Sequence, residues 1–142
     1  MIDDRLARLR HRDCPTPQFR QYVKEISQLI APSVTENLLT LPVEVETPME
    51  ITTGRRLERS IILVPILRAG LGMLEGMTRL IPSAEVGFLG MVRDEKTLTA
   101  STYANRLPDD LSGRQCYILD PMLATGGTLI SATHYLLERG AT

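Results

Sequence analysis

The segment richest in chemistry is Tyr117-Ile-Leu-Asp120-Pro121-Met122-Leu123-Ala124-Thr125-Gly126-Gly127-Thr128. An acid stands at the end of an apolar run, paired glycines and two threonines follow, and a helix-like stretch comes next. Glycine lets a backbone approach a ligand closely and adopt positive φ. Successive N–H groups at a helix start form a nest for an anion, and the helix dipole adds to it. Thr125 and Thr128 add hydroxyl donors, so a phosphate suits this loop. A carboxylate repels a phosphate in contact with it, yet it accepts hydrogen bonds from hydroxyls slightly further away. Asp120 with the nest therefore points to a phosphorylated sugar. No Lys follows the glycines, so this is not a Walker A loop. The alternative is a plain strand-to-helix turn with Asp120 as a local cap.

A second segment, Val64-Pro-Ile-Leu-Arg68-Ala69-Gly70-Leu-Gly72-Met-Leu-Glu75-Gly76, has the same order of strand, glycine-rich turn and helix. It approaches a dinucleotide fingerprint, but Glu75 stands where the third glycine belongs and Gly76 comes one place late. Backbone amides with the Arg68 guanidinium suit a pyrophosphate. A surface arginine at a strand end is the plainer reading. The third segment, Gly90-Met-Val-Arg93-Asp94-Glu95-Lys96-Thr97, is a charged strand end that alone reads as a solvated turn. Arg93 gains interest from the two anion loops.

These loops need elements to hold them. Ile61–Leu67 is a short continuous apolar run, the mark of a strand buried on both faces. Gly70–Leu80 reads as a helix stopped near Pro82. Glu85–Met91 reads as a second strand, Arg93–Asp110 as a long loop or hairpin, and Cys116–Leu119 as a third strand. Thr128–Arg139 reads as a helix with Leu129, Ile130, Leu136 and Leu137 inside and Gly140 at its end. Strand–helix alternation predicts an α/β fold with a mostly parallel sheet flanked by helices. One domain is expected, with a helical and hairpin-like lead-in over 1–54 and the α/β core over 55–142. In the lead-in, Thr16 is expected to cap a helix opened by Pro17. Phe19, Tyr22, Val23, Ile26, Leu29 and Ile30 form its apolar stripe, and Pro32 is expected to end it. Ser33 and Glu36 then suggest a capping box for a short further helix. Val43–Glu46 alternates like a half-exposed strand.

Composition narrows the function. Sixteen Lys and Arg against seventeen Asp and Glu leave a net charge of −1, with no basic excess for a nucleic acid or an anionic membrane. Aromatics are 4% with no Trp, which argues against base-stacking platforms. The apolar runs are far short of the ~20 residues that span a membrane. Two distant cysteines and no secretory signal favour a reducing, cytoplasmic setting. His11 and His134 lack neighbours at metal-ligand spacing.

Together, V-P-I-L-R-A-G-L-G-M within Ile61–Glu75, G-M-x-R-x-E-x-T over Gly90–Thr97 and D-P-M-L-A-T-G-G-T over Asp120–Thr128 resemble the uracil phosphoribosyltransferase family. The match covers about Arg55 to Thr142. It implies the type I phosphoribosyltransferase fold, incomplete on its C-terminal side. It also implies the conversion of uracil and phosphoribosyl pyrophosphate to UMP and pyrophosphate, with Mg²⁺ held through substrate oxygens. By that resemblance Asp120–Thr128 binds the ribose 5-phosphate moiety, with Asp120 catalytic on the ribose hydroxyls. Arg68, Ala69 and Gly70 form the pyrophosphate loop, Arg93 assists, and Glu95–Arg106, with Glu95, Lys96 and Tyr103, forms a candidate lid. The strand ending at Asp120 is expected beside the strand ending at Arg68. Many relatives outside this family carry a second acid where Pro121 stands, so no direct protein–metal bond is expected. A homodimer or higher homo-oligomer is implied.

The family's uracil motif, Tyr-Ile-Ile/Val-Pro-Gly-Leu-Gly-Asp-Ala-Gly-Asp, does not occur in the 142 residues, so no residue is assigned to the base. The expectation is a C-terminally shortened member that binds phosphoribosyl pyrophosphate weakly or not at all, does not turn over uracil and leaves Cys116–Leu119 as an open sheet edge. Two other readings stay open. One is a non-catalytic regulator or remnant that binds phosphoribosyl pyrophosphate or a nucleotide. The other is a dinucleotide-binding oxidoreductase domain, which the displaced Gly76 disfavours.

Overall fold

The structure, a computed structural model, describes residues 1–93 and 100–142. Helices α1 (Ile2–Leu9) and α2 (Thr16–Thr35) lead into a ribbon of β1 (Thr40–Glu46) and β2 (Ile51–Leu57). Strand β3 (Ser60–Leu67), helix α3 (Leu71–Leu80), β4 (Glu85–Val86), β5 (Phe88–Arg93), β6 (Ala100–Arg106), β7 (Arg114–Leu119) and α4 (Gly127–Leu137) follow. Strand β3 is central. It pairs in parallel with β7 on one side and with β4 and β5 on the other, and β6 joins β5 antiparallel. The expected mostly parallel α/β sheet is therefore present, and within the stretch read as a loop or hairpin Ala100–Arg106 is a strand, while 94–99 lie outside the described residues.

The alternation of β3 explains its burial. Ile62, Val64 and Ile66 pack with Leu89, Leu111, Ala132 and Leu136 under α4. Ile61 and Leu63 pack with Ala31, Met77 and Leu119 under α2 and α3. Each such buried aliphatic side chain contributes roughly 1.5–3 kcal/mol, so apolar residues on both faces fix this strand at the centre. Helices α3 and α4 thus cover opposite faces. Gly72 and Gly76 let α2 and α3 approach closely. A Cβ at Gly76 would stand 2.6 Å from the Lys24 carbonyl oxygen, and one at Gly72 would stand 3.1 Å from Val23 Cγ1. Lys24 and Glu75 form an ion pair across the same contact, and Lys24 holds the Glu75 carboxyl below its ordinary pKa.

Several local expectations are corrected. Pro15, not Thr16, occupies the N-cap of α2, and no side chain caps it. Pro15 is extended there, and its carbonyl accepts the Phe19 N–H, which places Thr16 inside the helix. Pro32 does not end α2, and Ser33 with Glu36 opens no second helix: α2 runs to Thr35 and Glu36 is its C-cap. Proline costs a helix a backbone hydrogen bond. Here Thr35 Oγ1 donates to the Ala31 and Pro32 carbonyls, the Tyr117 hydroxyl donates to the Val34 carbonyl, and Ala31 is buried in the core. Tertiary packing outweighs the local break. The run Glu85–Met91 is divided into β4 and β5 at Gly87, whose N–H still bonds the Leu63 carbonyl. In α4, Ala132 and Leu136 are buried while Ile130 and Leu137 are mostly exposed, the latter two having no element of the described chain over them. Gly140 does adopt positive φ, at 87°, just past the helix.

Among the described residues no helix is long and apolar enough to cross a membrane.

Candidate functional site

Strands β3 and β7 run in parallel with Pro65 level with Leu119, so the segments that follow them leave the sheet side by side. Their helices go to opposite faces. In open α/β sheets such a switch point, outside the carboxyl ends of two neighbouring strands, makes a crevice for ligands. The Asp120–Thr128 loop follows β7 and the Arg68–Gly70 loop follows β3, which makes them the two candidate walls of such a crevice. The expected adjacency of the two strands is thereby met.

The first wall is shaped by its own residues. Asp120 is half-buried directly after β7, and its Oδ1 accepts the Met122 N–H at 3.1 Å. That turn leaves Oδ2 with no hydrogen-bond partner among the described residues. Pro121 continues the turn, and Met122 and Leu123 project into solvent at 70% and 74% exposure. Ala124 and Thr125 are exposed. Gly126 adopts φ 76°, the left-handed region, and is the N-cap of α4 without a side-chain cap. Thr125 Oγ1 lies 3.5 Å from the Gly127 nitrogen, and the Gly126 carbonyl accepts the Ile130 N–H at 2.9 Å. The first-turn N–H groups of Thr128 and Leu129 therefore face the loop at the positive end of the helix dipole, an anion-binding arrangement.

The second wall is built on a close approach. Gly70 is buried, and a Cβ there would lie 2.2 Å from the Leu119 carbonyl oxygen and 2.8 Å from the Ile66 nitrogen. Only glycine lets this loop rest on the strand end that carries Asp120. Its N–H donates to the Ile66 carbonyl at 2.9 Å, and its carbonyl accepts from Met73 and Leu74 at the start of α3. The Leu67–Arg68 peptide is cis. Arg68 and Ala69 are exposed, and Arg68 has no ion-pair or hydrogen-bond partner among the described residues.

The third segment stands across β3 from β7. Gly90 is level with Leu67, and β5 continues three residues to Arg93, roughly 10 Å further at ~3.3 Å per residue. Arg93 is thus carried past the end of β3 on the side of the crevice mouth. Glu95 and Lys96 lie outside the described residues. Tyr103 stands on β6 at a bulge, where Gly90 pairs with Ala104 and Met91 with Thr102. Its ring lies over Gly90, where a Cβ would be 2.6 Å from Tyr103 Cζ. Bulges re-aim side chains in this way.

Sequence reasoning missed two features here, the seating of Gly70 on Leu119 and the Gly90–Tyr103 contact. Both are long-range approaches of backbone to a neighbour. The only local signal was glycine inside an otherwise apolar pattern. An apolar cavity of about 270 Å³ also adjoins this site. Leu6, Phe19, Val23 and Met73 line it together with Asp120 and Met122. On β7, burial pushes the Cys116 thiol and the Tyr117 phenol above their ordinary pKa values, so neither adds charge near neutral pH. Among the described residues no three His, Cys, Asp or Glu side chains cluster to hold a metal.

The family model for uracil phosphoribosyltransferase matches residues 1–142. A uracil phosphoribosyltransferase of Bifidobacterium longum (strain DJO10A) is 57% identical over 143 residues, covering 99% of this chain and 67% of that protein. One of Kineococcus radiotolerans is 58% identical over 142 residues, with the same coverage of 99% and 67%. The chain therefore spans about two thirds of the length of these relatives. A solved protein from Aquifex aeolicus superposes with a TM-score of 0.86 at 38% identity, covering 99% of this chain and 67% of that one. A hypoxanthine phosphoribosyltransferase of Staphylococcus aureus superposes at 0.62 with 14% identity, over 87% and 59%, a likeness of fold alone.

Proposed function

The chain belongs to the uracil phosphoribosyltransferase family of enzymes, and from that premise we propose that its crevice binds phosphoribosyl pyrophosphate for transfer of the phosphoribosyl group to uracil. The observation that carries the reading is the pairing of β3 with β7, from which the Arg68 loop and the Asp120 loop leave side by side. A phosphate nest and an acid on one wall, facing a guanidinium on the other, match a molecule with a 5-phosphate, ribose hydroxyls and a pyrophosphate.

In this reading the uncapped N–H groups of α4 hold the 5-phosphate, with Thr125 and Thr128 beside them. Asp120 accepts hydrogen bonds from ribose hydroxyls through the carboxylate oxygen that Met122 leaves available. The bond from C1 of the ribose to pyrophosphate breaks, and a uracil ring nitrogen forms the new bond to C1 while losing its proton. The electron pair of the broken bond leaves with pyrophosphate. Arg68 and the loop amides would meet that growing negative charge, with Arg93 assisting from the end of β5. Fixed donors aimed at developing charge supply several kcal/mol in such sites. The ring becomes oxocarbenium-like, and the Asp120 carboxylate close to it favours that positive charge.

The donor set suits Mg²⁺ carried by the substrate. Among the described residues of the two loops, Asp120 is the single carboxylate, and Pro121 follows it. That fits an ion bound mainly through pyrophosphate and ribose oxygens and water, as Mg²⁺ prefers. Its contribution would be to neutralise charge on the leaving group.

Calorimetry of the 142-residue protein with phosphoribosyl pyrophosphate and Mg²⁺ tests the binding step. Saturable binding that Asp120→Asn weakens is the expected result. Equal affinity of the two proteins, or preference for NAD, would overturn the assignment. A coupled assay for UMP tests transfer. A second reading, a binder without turnover, is favoured by one fact: every residue assigned here serves the phosphoribosyl side and none the base. Binding without UMP formation would select it.

A further inference from the structure

Tyr103 is placed by the irregular pairing of β5 with β6. Gly90 is level with Ala104 and Met91 with Thr102, so Tyr103 is the extra residue of a bulge. Leu89 and Met91 pack in the cluster under α4. Successive strand residues alternate faces, so Gly90 faces the other side of the sheet, the side of α3. The Tyr103 ring fills the space that a side chain at Gly90 would take. A Cβ there would lie 2.6 Å from Tyr103 Cζ and 2.8 Å from Cε2.

The direction of the ring follows. Cζ is the ring carbon farthest from the Tyr103 backbone, and it bears the hydroxyl. With its tip over Gly90, the ring crosses from β6 to β5 and aims the hydroxyl onward to β3. The β3 residue level with Gly90 is Leu67, one strand spacing away at ~4.8 Å, and Arg68 follows it. The phenol is therefore aimed at the start of the Arg68–Gly70 loop, on the face that α3 covers.

Packing accounts for the ring, since an aromatic side chain laid across a strand glycine covers the backbone that glycine leaves bare. Phenylalanine would serve that purpose equally, so packing gives no reason for the hydroxyl. Tyr103 is 55% exposed, and its hydroxyl has no hydrogen-bond partner among the described residues.

We propose that the Tyr103 hydroxyl is a further binding group for phosphoribosyl pyrophosphate, donating a hydrogen bond to a pyrophosphate oxygen from the β5 side of the Arg68 loop. The assignment rests on the phosphoribosyl reading of the crevice and adds a contact from outside its loops. Arg68 supplies charge and a forked donor, and Tyr103 adds one directed O–H. The bulge and Gly90 exist, in this view, to bring that O–H across β5.

Calorimetry on the 142-residue protein with Mg²⁺ tests the assignment, with inorganic pyrophosphate and ribose 5-phosphate as separate probes. Tyr103→Phe keeps the ring on Gly90 and removes only the hydroxyl. It should unfold in urea at the wild-type midpoint and bind ribose 5-phosphate as the wild type does. Its affinity for pyrophosphate should fall about tenfold. Gly90→Ala puts a methyl group where the ring tip rests and should weaken pyrophosphate binding by a similar factor. Adding Tyr103→Phe to it should cost little more, because both changes remove one and the same contact. Unchanged pyrophosphate affinity in Tyr103→Phe would overturn the proposal, as would equal losses for both probes or additive losses in the double variant. Those outcomes leave the phosphoribosyl reading standing, since Asp120→Asn tests it separately through ribose 5-phosphate. A wild type that binds neither probe would overturn both.

Discussion

Two segments of this chain share one plan, a buried strand, a glycine-bearing turn and a helix, and they use glycine in opposite ways. In Arg68–Gly76 the glycines make room. Gly70 lets the turn rest on the Leu119 carbonyl, and Gly72 and Gly76 let α3 lie against α2. None of these three has positive φ. In Asp120–Thr128 the relevant glycine has room to spare. The nearest atom to a Cβ at Gly126 would be Leu123 Cδ1 at 3.8 Å, an ordinary contact, while its φ of 76° is one that other residues resist. The first loop is shaped by what it touches and the second by its own backbone. A substitution of a packing glycine in the first should therefore disturb the fold, and one of Gly126 in the second should disturb mainly the ligand.

The sharpest test is Gly70→Ala. Its Cβ would meet three backbone atoms, the nearest at 2.2 Å, and backbone cannot rotate away as a side-chain tip does. Overpacking of this kind costs ~1–3 kcal/mol, and the upper end is expected here. Urea unfolding should show a lower midpoint at unchanged slope, together with weaker phosphoribosyl pyrophosphate binding. Gly76→Ala, 2.6 Å from the Lys24 carbonyl, should cost about 2 kcal/mol and leave ligand affinity alone. If Gly70→Ala proves as stable as the wild type, the contrast between the two loops fails.

That contrast was only half legible in the sequence. The order acid, paired glycines, threonines and helix start is local, so Asp120–Thr128 could be read along the chain. The partners of Gly70 and Gly76 are 49 residues ahead at Leu119 and 52 behind at Lys24, and no spacing rule reveals them. The displaced Gly76 that spoiled the dinucleotide fingerprint is a packing glycine for α2. The same division holds for the fold. The run Ile61–Leu67 declared a strand buried on both faces. Pro32 looked like a helix end, because the Thr35, Tyr117 and core contacts that carry α2 past it are tertiary. Ile130 and Leu137 looked interior because apolar type was the only available signal.

Substitutions that touch neither packing contact should separate binding from stability. Arg68 is exposed and without a partner among the described residues, so Arg68→Ala should leave the unfolding midpoint within error. In the proposed site it removes charge-assisted hydrogen bonds to pyrophosphate, worth ~1.5–3 kcal/mol. Calorimetry should show affinity for phosphoribosyl pyrophosphate reduced at least tenfold. Arg68→Lys should recover only part, because a single ammonium cannot reproduce the planar fork. Full affinity in Arg68→Ala would remove this arginine from the site.

The smallest expected effect belongs to Gly126→Ala, and it isolates backbone conformation from everything else. The added methyl group meets no atom closer than 3.8 Å, so crowding is excluded as a cause. What remains is the cost of holding a residue with a Cβ in the left-handed region, ~1–2 kcal/mol. The chain can meet that cost in two ways. If the rest of the fold holds φ near 76°, stability falls by about 1 kcal/mol and the ligand still finds the α4 amides in place. If the turn relaxes, stability is nearly kept, but the first-turn N–H groups of α4 move off the phosphate and affinity falls several-fold. The turn is exposed at Ala124 and Thr125, so relaxation is the expected course. Gly126→Ala should therefore lose affinity for phosphoribosyl pyrophosphate while its unfolding midpoint barely moves, the reverse of Gly76→Ala. Unfolding and calorimetry on the two proteins side by side would decide it, and equal losses in both measurements would mean that the loops are not shaped differently after all.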